Sequence, residues 1–332
     1  RSQENHTHNG TGGTGVEIES HLIQLAAWIA RNYGSTMNQA LKTVLPVKEK
    51  AAEKEKRQIC LNASEEEVRK LKEECERKHY TAKLRLLEAL LREKTLDYTE
   101  AVKEMKISTP VIKGLEEKGI LKVIRQRCYR NPFEGMCAER KSFQLSPEQR
   151  TVTEEIFREW KQENPRPCLI KGVTGSGKTQ VYMELISHVL KQGQQVIVLI
   201  PEIALTYQNV SRFYSRFGDC VSLMNSRLSQ GERFDQFERA KKGEVSIVIG
   251  PRSALFTPFP NLGLILIDEE HETSYKSEKT PCYHARETAI ERARMEGAFV
   301  VMGSASPSVE SYYKGKEGIY KLLYLNSRYE QR

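Results

Sequence analysis

The sequence predicts an α/β lobe, with a parallel sheet covered by helices on both faces, preceded by a small winged-helix domain. From Leu145 onward, short runs rich in Val and Ile alternate with amphipathic stretches of helical spacing. Strands of a parallel sheet are buried on both faces and are therefore apolar throughout, so this alternation favours such a sheet. We place the lobe at 145–332, with apolar runs at 168–171, 196–200, 246–250, 264–268 and 299–303, and helical stretches at 179–192, 204–217, 230–242 and 284–296.

Composition limits the class of protein. The 332 residues suffice for two or three domains, and the formal net charge of +8 favours a polyanionic partner, although basic surfaces also occur without one. The longest apolar stretches, such as 22–30 and 196–200, are too short to span a bilayer, so no membrane partner is expected. The seven cysteines include no C-x-x-C pair, which argues against a complete zinc ribbon. Their odd number favours a reducing cytoplasm.

Three segments precede the winged helix. Residues 1–15 are polar and rich in Gly and Thr, and we interpret them as a disordered linker, a tail or an expression remnant. Residues 16–47 carry apolar side chains at helical spacing but are too few to form a core alone. Residues 48–80 are dense in Lys and Glu and are interpreted as a charged helical connector. Ser64 and Glu67 match a capping box, which predicts a helix at 65–80.

The segment 81–135 has the pattern of a winged helix. The run 120–130 predicts a two-stranded wing that carries Arg125 and Arg127. Two roles stay open for this domain. Its third helix and basic wing contact DNA, or the domain only packs on a neighbour. The first helix is indicated by an apolar face of Leu84, Leu87 and Leu91, and the second by the stretch 97–105. The third is indicated by Thr109 as N-cap, Pro110 at the first helical position and Gly119 at the end.

The strongest motif of the lobe is GVTGSGKT at 172–179, which fits G-x-x-x-x-G-K-[ST]. It follows a predicted strand and opens a predicted helix, where backbone N–H groups and the helix dipole attract phosphate. Lys178 is expected to reach the β- and γ-phosphates, and the Thr179 hydroxyl to bind Mg²⁺. The residues expected to hold the nucleotide here are Gly172, Thr174, Gly175, Ser176, Gly177, Lys178 and Thr179.

A second motif, ILIDEEH at 265–271, places acidic residues at the end of a buried strand. Ligands of open α/β sheets bind at the carboxyl ends of the strands. Asp268 is therefore expected to hold Mg²⁺, and Glu269 to act as general base toward the attacking water. The two motifs together predict a RecA-like P-loop NTPase lobe that uses ATP and Mg²⁺, with Lys178, Asp268 and Glu269 as its catalytic residues.

The order of the motifs resembles that of superfamily 2 helicases, and most closely the PriA family of bacterial primosomal, replication-restart helicases. The resemblance covers about 145–330 and extends more weakly through the winged helix and 16–47. That last segment looks like the end of the family's N-terminal DNA-binding domain. The motifs that carry the resemblance are GVTGSGKTQVY, PEIALTYQ at 201–208, GPRSALFTPF at 250–259, DEEH at 268–271, SYK and CYHAR within 274–286, and GSASPS at 303–308.

The resemblance implies roles for further residues. Gln149 corresponds to a glutamine that recognises adenine, and His271 links the ATP site to the DNA-sensing loop. Tyr275 and Tyr283 are expected to stack on single-stranded bases. The remaining residues that the family implies for DNA binding or coupling are Pro201, Glu202, Thr206 and Arg252, then Lys276, His284 and Arg286 beside the two tyrosines, and Ser304 and Ser306 in the third motif.

Two positions depart from the family pattern. Ser306 stands where the family usually has Thr, and because the hydroxyl is retained we expect coupling to survive. Cys282 stands where the family commonly has Arg, which removes one positive charge from the expected DNA-sensing loop.

The resemblance also implies what the protein does. It implies an ATP-dependent 3′–5′ DNA helicase that recognises stalled forks, remodels them and promotes primosome assembly and reloading of the replicative helicase. Expected partners are forked and single-stranded DNA, primosome and helicase-loading proteins, and single-stranded DNA-binding protein. A monomer in the cytoplasm, associated with the nucleoid, is expected.

The chain ends at Arg332, shortly after the third motif. The second lobe of such helicases, with its arginine finger and the family's Zn²⁺ ligands, is therefore expected to be missing. Because an arginine finger contributes roughly 10³–10⁵-fold in rate, the chain alone should hydrolyse ATP slowly. Two other interpretations stay open: a non-catalytic DNA-binding or scaffold fragment with a silent P-loop, and an unrelated P-loop enzyme such as a small-molecule kinase.

Overall fold

The computed structural model describes residues 15–45, 55–127, 144–226 and 228–328, which form two compact units. Residues 15–45 and 144–328 belong to the larger unit, and 55–127 to the smaller one. The predicted linker at 1–15 lies almost entirely outside the described residues. No helix within the described ranges is both long enough and apolar enough to cross a membrane.

The larger unit contains a seven-stranded parallel sheet, which confirms the predicted fold class. The strand order is β10-β4-β9-β8-β5-β7-β6. All five predicted apolar runs are strands; the sheet also includes two strands that the sequence analysis did not predict, β6 and β10. The bounds are β4 Cys168–Gly172, β5 Gln195–Leu199, β6 Val221–Leu223, β7 Ile247–Gly250, β8 Leu262–Asp268, β9 Phe299–Ser304 and β10 Lys321–Leu325.

Helices cover both faces of this sheet because successive strand residues point to opposite sides. On β8, Ile265 and Ile267 join one apolar cluster while Leu264 and Leu266 join the other. The helices of the larger unit are α1 Gly15–Asn32, α2 Met37–Val44, α7 Pro147–Trp160, α8 Lys178–Lys191, α9 Tyr207–Phe217, α10 Gln230–Lys241, α11 Ala285–Glu296 and α12 Val309–Lys316.

The two N-terminal helices are part of the lobe. Leu22, Leu25 and Ile29 of α1 are fully buried in the same apolar cluster as Ile265 and Ala289. The described part of the segment 16–47, up to residue 45, therefore packs on the face of the lobe that α11 covers. Their origin as the end of a separate DNA-binding domain stays a prediction.

The smaller unit differs from the prediction in its sheet. Strand β1 (Glu55–Leu61) lies in the segment expected to be a helical connector, and it pairs antiparallel with β2 (Thr95–Asp97) on one side and β3 (Leu121–Arg127) on the other. The prediction that 120–130 folds back as a two-stranded wing is wrong for the described part. β3 is one continuous strand, and its partner is β1, where the buried Ile59 lies opposite Val123.

The helices of this unit lie close to their predicted positions. Ser64 and Glu67 form the expected capping box, in which each side chain accepts a hydrogen bond from the other residue's backbone N–H. The third winged-helix helix begins one residue earlier than predicted, with Ser108 as the N-cap. The helices are α3 Glu65–Arg77, α4 Thr81–Glu93, α5 Tyr98–Lys103 and α6 Thr109–Glu117.

The central position of β1 generates a test. Gln58 lies between Asp97 and Ile124, so Gln58→Pro removes a backbone donor from the middle strand of the sheet. We expect hydrogen exchange to accelerate throughout 55–61, 95–97 and 121–127, while Gln58→Thr, which suits a strand, leaves protection intact. Exchange followed by mass spectrometry measures this. Equal protection in the two variants would show that β1 is not the central strand.

Candidate nucleotide-binding site

The loop that joins β4 to α8 has the backbone of a phosphate-binding loop. Gly175 and Gly177 both have φ of +81°, in the left-handed region that glycine tolerates best. A side chain on Gly177 would also overlap the Gln149 amide. The first turn of α8 begins at Lys178, so its unpaired backbone N–H groups point into the loop.

Gln149 braces this loop from α7. Its Oε1 accepts from the backbone N–H of Ser146, and its Nε2 donates to the carbonyls of Ser176 at 3.0 Å and Gly177 at 3.5 Å. The side chain is buried. Both polar atoms of the predicted adenine-binding amide therefore have protein partners, and Gln149 fixes the loop to the N-terminus of α7.

Two polar groups in the loop fit a polyphosphate. The Lys178 ammonium is largely buried and donates to the Gly172 carbonyl at 2.9 Å, so a charged donor lies within the loop itself. The Ser176 hydroxyl is buried and has no hydrogen-bond partner within the described chain. Because buried polar groups normally have partners, a bound anionic oxygen is the natural acceptor for these donors.

The carboxyl end of β8 lies beside this loop. Asp268 Oδ1 accepts a hydrogen bond from the Tyr182 hydroxyl at 2.9 Å, and burial, together with the nearby Glu269 carboxylate, raises the pKa of Asp268 to about 6. Thr179 and Asp268 line the same cavity of about 50 Å³. A hydroxyl and a carboxylate facing one cavity are the oxygen ligands that hard divalent cations prefer. The described residues contain no cluster of three or more His, Cys, Asp or Glu side chains that could hold a metal.

The next residues connect β8 to the end of β9. Glu269 has φ of +46°, which turns the chain sharply out of the strand and leaves its side chain about one-third exposed. His271 Nδ1 lies 3.5 Å from the Glu269 carboxylate and 2.7 Å from the Ser304 hydroxyl. Ser304 Oγ in turn accepts from the backbone N–H of Ser306, whose own side chain is exposed. His271 thus lies between the acidic residues and the third motif.

Arg286 lies in the first turn of α11 and is buried. Its guanidinium is buried and donates to Glu270, Glu310 and Ser311 at 3.1, 2.7 and 2.7 Å. These ion pairs use the Arg286 donors within the lobe, and a part of Arg286 in DNA binding or coupling stays a prediction. Glu270, which the sequence analysis did not single out, also accepts from the backbone N–H of Ser308 and so holds the start of α12.

The two tyrosines expected to stack on bases are buried. Tyr275 is 1% exposed, and its hydroxyl lies 3.0 Å from the Leu199 carbonyl and 2.6 Å from the Asp268 carbonyl. Tyr283 is 4% exposed and packs edge-on against Phe256 at 5.3 Å between ring centroids. The stacking prediction is therefore wrong for both rings. Tyr275 instead bonds the carboxyl ends of β5 and β8.

The loop around these tyrosines is held by cationic and imidazole side chains. Arg252 Nη1 donates to the carbonyls of Ser274 at 2.7 Å and of Lys276 at 3.0 Å. Lys276 is exposed, and its ammonium lies 5.0 Å from the centroid of the Tyr33 ring. His284 Nδ1 accepts from the backbone N–H of Arg286 and caps α11, while burial lowers the pKa of His284.

The segment after β5 presents side chains at the same edge of the sheet. Pro201 is buried, and Glu202 Oε1 accepts from the backbone N–H of Ser226 at 3.1 Å. Thr206 caps α9 through the N–H of Asn209 at 3.4 Å. Ile203 and Tyr207 lie beside these three predicted residues and are 84% and 69% exposed. The sequence analysis did not single them out as exposed apolar side chains at this edge. Their hydrophobic character at an unburied turn was the available signal.

Arg125 and Arg127 lie on β3 in the smaller unit, opposite Arg57 and Glu55 of β1. Contact of these arginines with DNA stays a prediction.

The position of Tyr275 generates a second test. A Phe ring and a Tyr ring stack on bases about equally well. If the Tyr275 ring binds nucleic acid, Tyr275→Phe should therefore leave the stability of the lobe unchanged. The structure predicts instead that loss of the hydroxyl leaves buried strand-end carbonyls without a donor. We expect the unfolding free energy of the lobe to fall by roughly 1–3 kcal/mol. Denaturant unfolding measures the change, and unaltered stability would contradict the role of the Tyr275 hydroxyl at the strand ends.

Comparison with known proteins finds relatives named as replication restart proteins. A family model described as Type III restriction enzyme, res subunit, matches residues 142–305. The Replication restart protein PriA of Bacillus subtilis (strain 168) is 43% identical over 290 residues, which is 86% of this chain and 36% of that protein. The PriA of Chlamydia pneumoniae is 35% identical over 325 residues, or 96% of this chain and 43% of that protein. The chain thus spans less than half the length of these two relatives.

Solved structures give a weaker likeness. The structure of RecG bound to a three-way DNA junction has a TM-score of 0.43 and 23% identity, and the match covers 57% of this chain and 25% of that one. The UvsW helicase of bacteriophage T4 has a TM-score of 0.41 and 14% identity, covering 60% of this chain and 63% of that chain.

Proposed function

Because the chain belongs to the PriA family of replication restart proteins, we propose that it forms the ATP-binding lobe of a DNA helicase acting in replication restart. The observation that carries the proposal is that Thr179, the last residue of the phosphate-binding motif, and Asp268 line one cavity, with Glu269 as the next residue. Lys178 and the backbone N–H groups of the loop bind the phosphates. Glu269 accepts the proton of the attacking water.

Thr179 and Asp268 are the residues that would hold Mg²⁺. The ion supplies charge neutralisation for the β- and γ-phosphates when it is bound. Recognition of adenine by Gln149 requires its amide to give up a present partner, either the Ser146 N–H or the loop carbonyls. Nucleotide entry would in that case change how α7 holds the phosphate-binding loop.

DNA is the proposed second ligand of the lobe. Glu202, Thr206 and the adjoining exposed side chains lie at the carboxyl edge of the sheet, on the same edge as the nucleotide site. The contact series His271–Ser304–Ser306 joins the acidic residues to the third motif and supports coupling between the two ligands. Arg252 and Lys276 contribute by fixing the loop that follows the acidic residues.

For the whole protein we propose 3′–5′ unwinding of forked DNA, followed by assembly of primosome proteins, the helicase loader and single-stranded DNA-binding protein. Action as a monomer near the nucleoid is part of the same proposal. These properties follow from the family rather than from contacts in this chain.

Two substitutions separate nucleotide binding from hydrolysis. Lys178→Ala should abolish binding of a fluorescent ATP analogue to this chain, because it removes the cation that faces the phosphates. Glu269→Gln should leave that binding intact. In the full-length protein, we expect Glu269→Gln to lower DNA-stimulated ATP hydrolysis by roughly 10²–10⁴-fold. Full hydrolysis by Lys178→Ala, or none by the wild type with forked DNA, would favour a silent P-loop.

The smaller unit has its own test. If Arg125 and Arg127 contact phosphates, replacing each by Ala should reduce the slope of log affinity against log salt by about one per residue. Fluorescence anisotropy with forked DNA at several salt concentrations measures the slope. Lys70→Ala, at an exposed lysine of α3, is the control for general loss of charge. Equal slopes for the wild type and the double arginine variant would contradict the prediction that β3 contacts DNA.

A further inference from the structure

We propose that Tyr182 is a positioning residue that orients the Asp268 carboxylate for a divalent cation, an inference that rests on the proposed ATP and Mg²⁺ site. The Tyr182 hydroxyl donates to Asp268 Oδ1 at 2.9 Å. Tyr182 lies outside both the phosphate-binding loop and the acidic motif, and it touches neither phosphate nor water in the proposed reaction. It acts only through the carboxylate.

Helix geometry places Tyr182 where this contact is possible. It follows Lys178 by four residues and Thr179 by three on α8, so its side chain lies on the face of the helix that carries these two residues. The ring is 1% exposed, which fixes its orientation by packing. One helix thus supplies the phosphate-binding ammonium, the proposed metal-binding hydroxyl and the donor that orients the second metal ligand.

A glycine on β9 makes room for the hydroxyl. Gly303 pairs with Asp268 across the sheet, and a Cβ at Gly303 would overlap the Tyr182 hydroxyl. Any other residue at position 303 would therefore displace the phenol from the carboxylate. Gly303 has an extended backbone rather than a positive φ, so its role here is space and not conformational freedom.

The hydrogen bond leaves the carboxylate able to bind a cation. An ionised carboxylate has about four acceptor sites, of which Tyr182 occupies one. Tyr182, Thr179 and Asp268 line the same cavity, so the donor and both proposed metal ligands face one space. Metal-binding carboxylates are usually oriented by such a hydrogen bond, and its loss typically lowers metal affinity or activity by about 10–100-fold.

The test measures the dissociation constant of a fluorescent ATP analogue for this chain in EDTA and in saturating Mg²⁺. The quantity compared between variants is the constant in EDTA divided by the constant in Mg²⁺. This ratio measures how strongly the protein uses the metal. We expect Tyr182→Phe to lower the ratio by about 10–100-fold through weaker binding in Mg²⁺ alone. A merely structural role would weaken binding equally in both solutions, and an unchanged ratio overturns the proposal.

Tyr214→Phe is the matched control, because the Tyr214 hydroxyl also donates to an aspartate, Asp219, at 2.8 Å, and neither residue lines the cavity that Thr179 and Asp268 share. Its ratio should equal that of the wild type. Gly303→Ala displaces the hydroxyl without removing it, and its ratio should fall in the same direction. It also keeps the proposal testable if Tyr182→Phe does not fold, since an unchanged ratio in Gly303→Ala would then overturn it. Wild-type protein that binds no analogue in either solution would instead refute the proposed function.

Discussion

The parallel register of β4, β8 and β9 brings the elements of the site together. Lys171 lies opposite Ser304, and Asp268 opposite Gly303, so the phosphate-binding loop, the acidic residues and the third motif leave the sheet at one edge. A shift of one residue along β8 would turn Asp268 to the other face of the sheet. The cavity shared by Thr179 and Asp268 depends on this register.

Around that edge, consecutive residues of the acidic motif bond to different elements. Asp268 bonds to Tyr182 on α8, Glu270 to Arg286 on α11 and to the start of α12, and His271 to Ser304 at the end of β9. Burial makes these polar contacts costly to break one at a time. The acidic motif therefore has direct contacts to α8, α11, α12 and the end of β9.

Much of the lobe could be predicted from sequence because its signals are local. Buried strands are continuous apolar runs, and a phosphate-binding loop is one contiguous motif between a strand and a helix. β1 was missed because Lys and Glu dominate 48–80, whereas its burial depends on β3, some sixty residues away. Stacking by Tyr275 and Tyr283 was mispredicted for the same reason. Both rings are buried in the apolar cluster that includes Leu22 of α1 and Ala289 of α11, which the motifs do not contain.

The central claim is that the phosphate-binding loop and the carboxyl end of β8 form one nucleotide site. Hydrogen exchange of this chain, with and without an ATP analogue and Mg²⁺, tests it most directly. The account predicts increased protection in two separate stretches, 172–179 and 267–271, and that Lys178→Ala loses both together. Protection confined to 172–179, or a response in Lys178→Ala equal to that of the wild type, would contradict it.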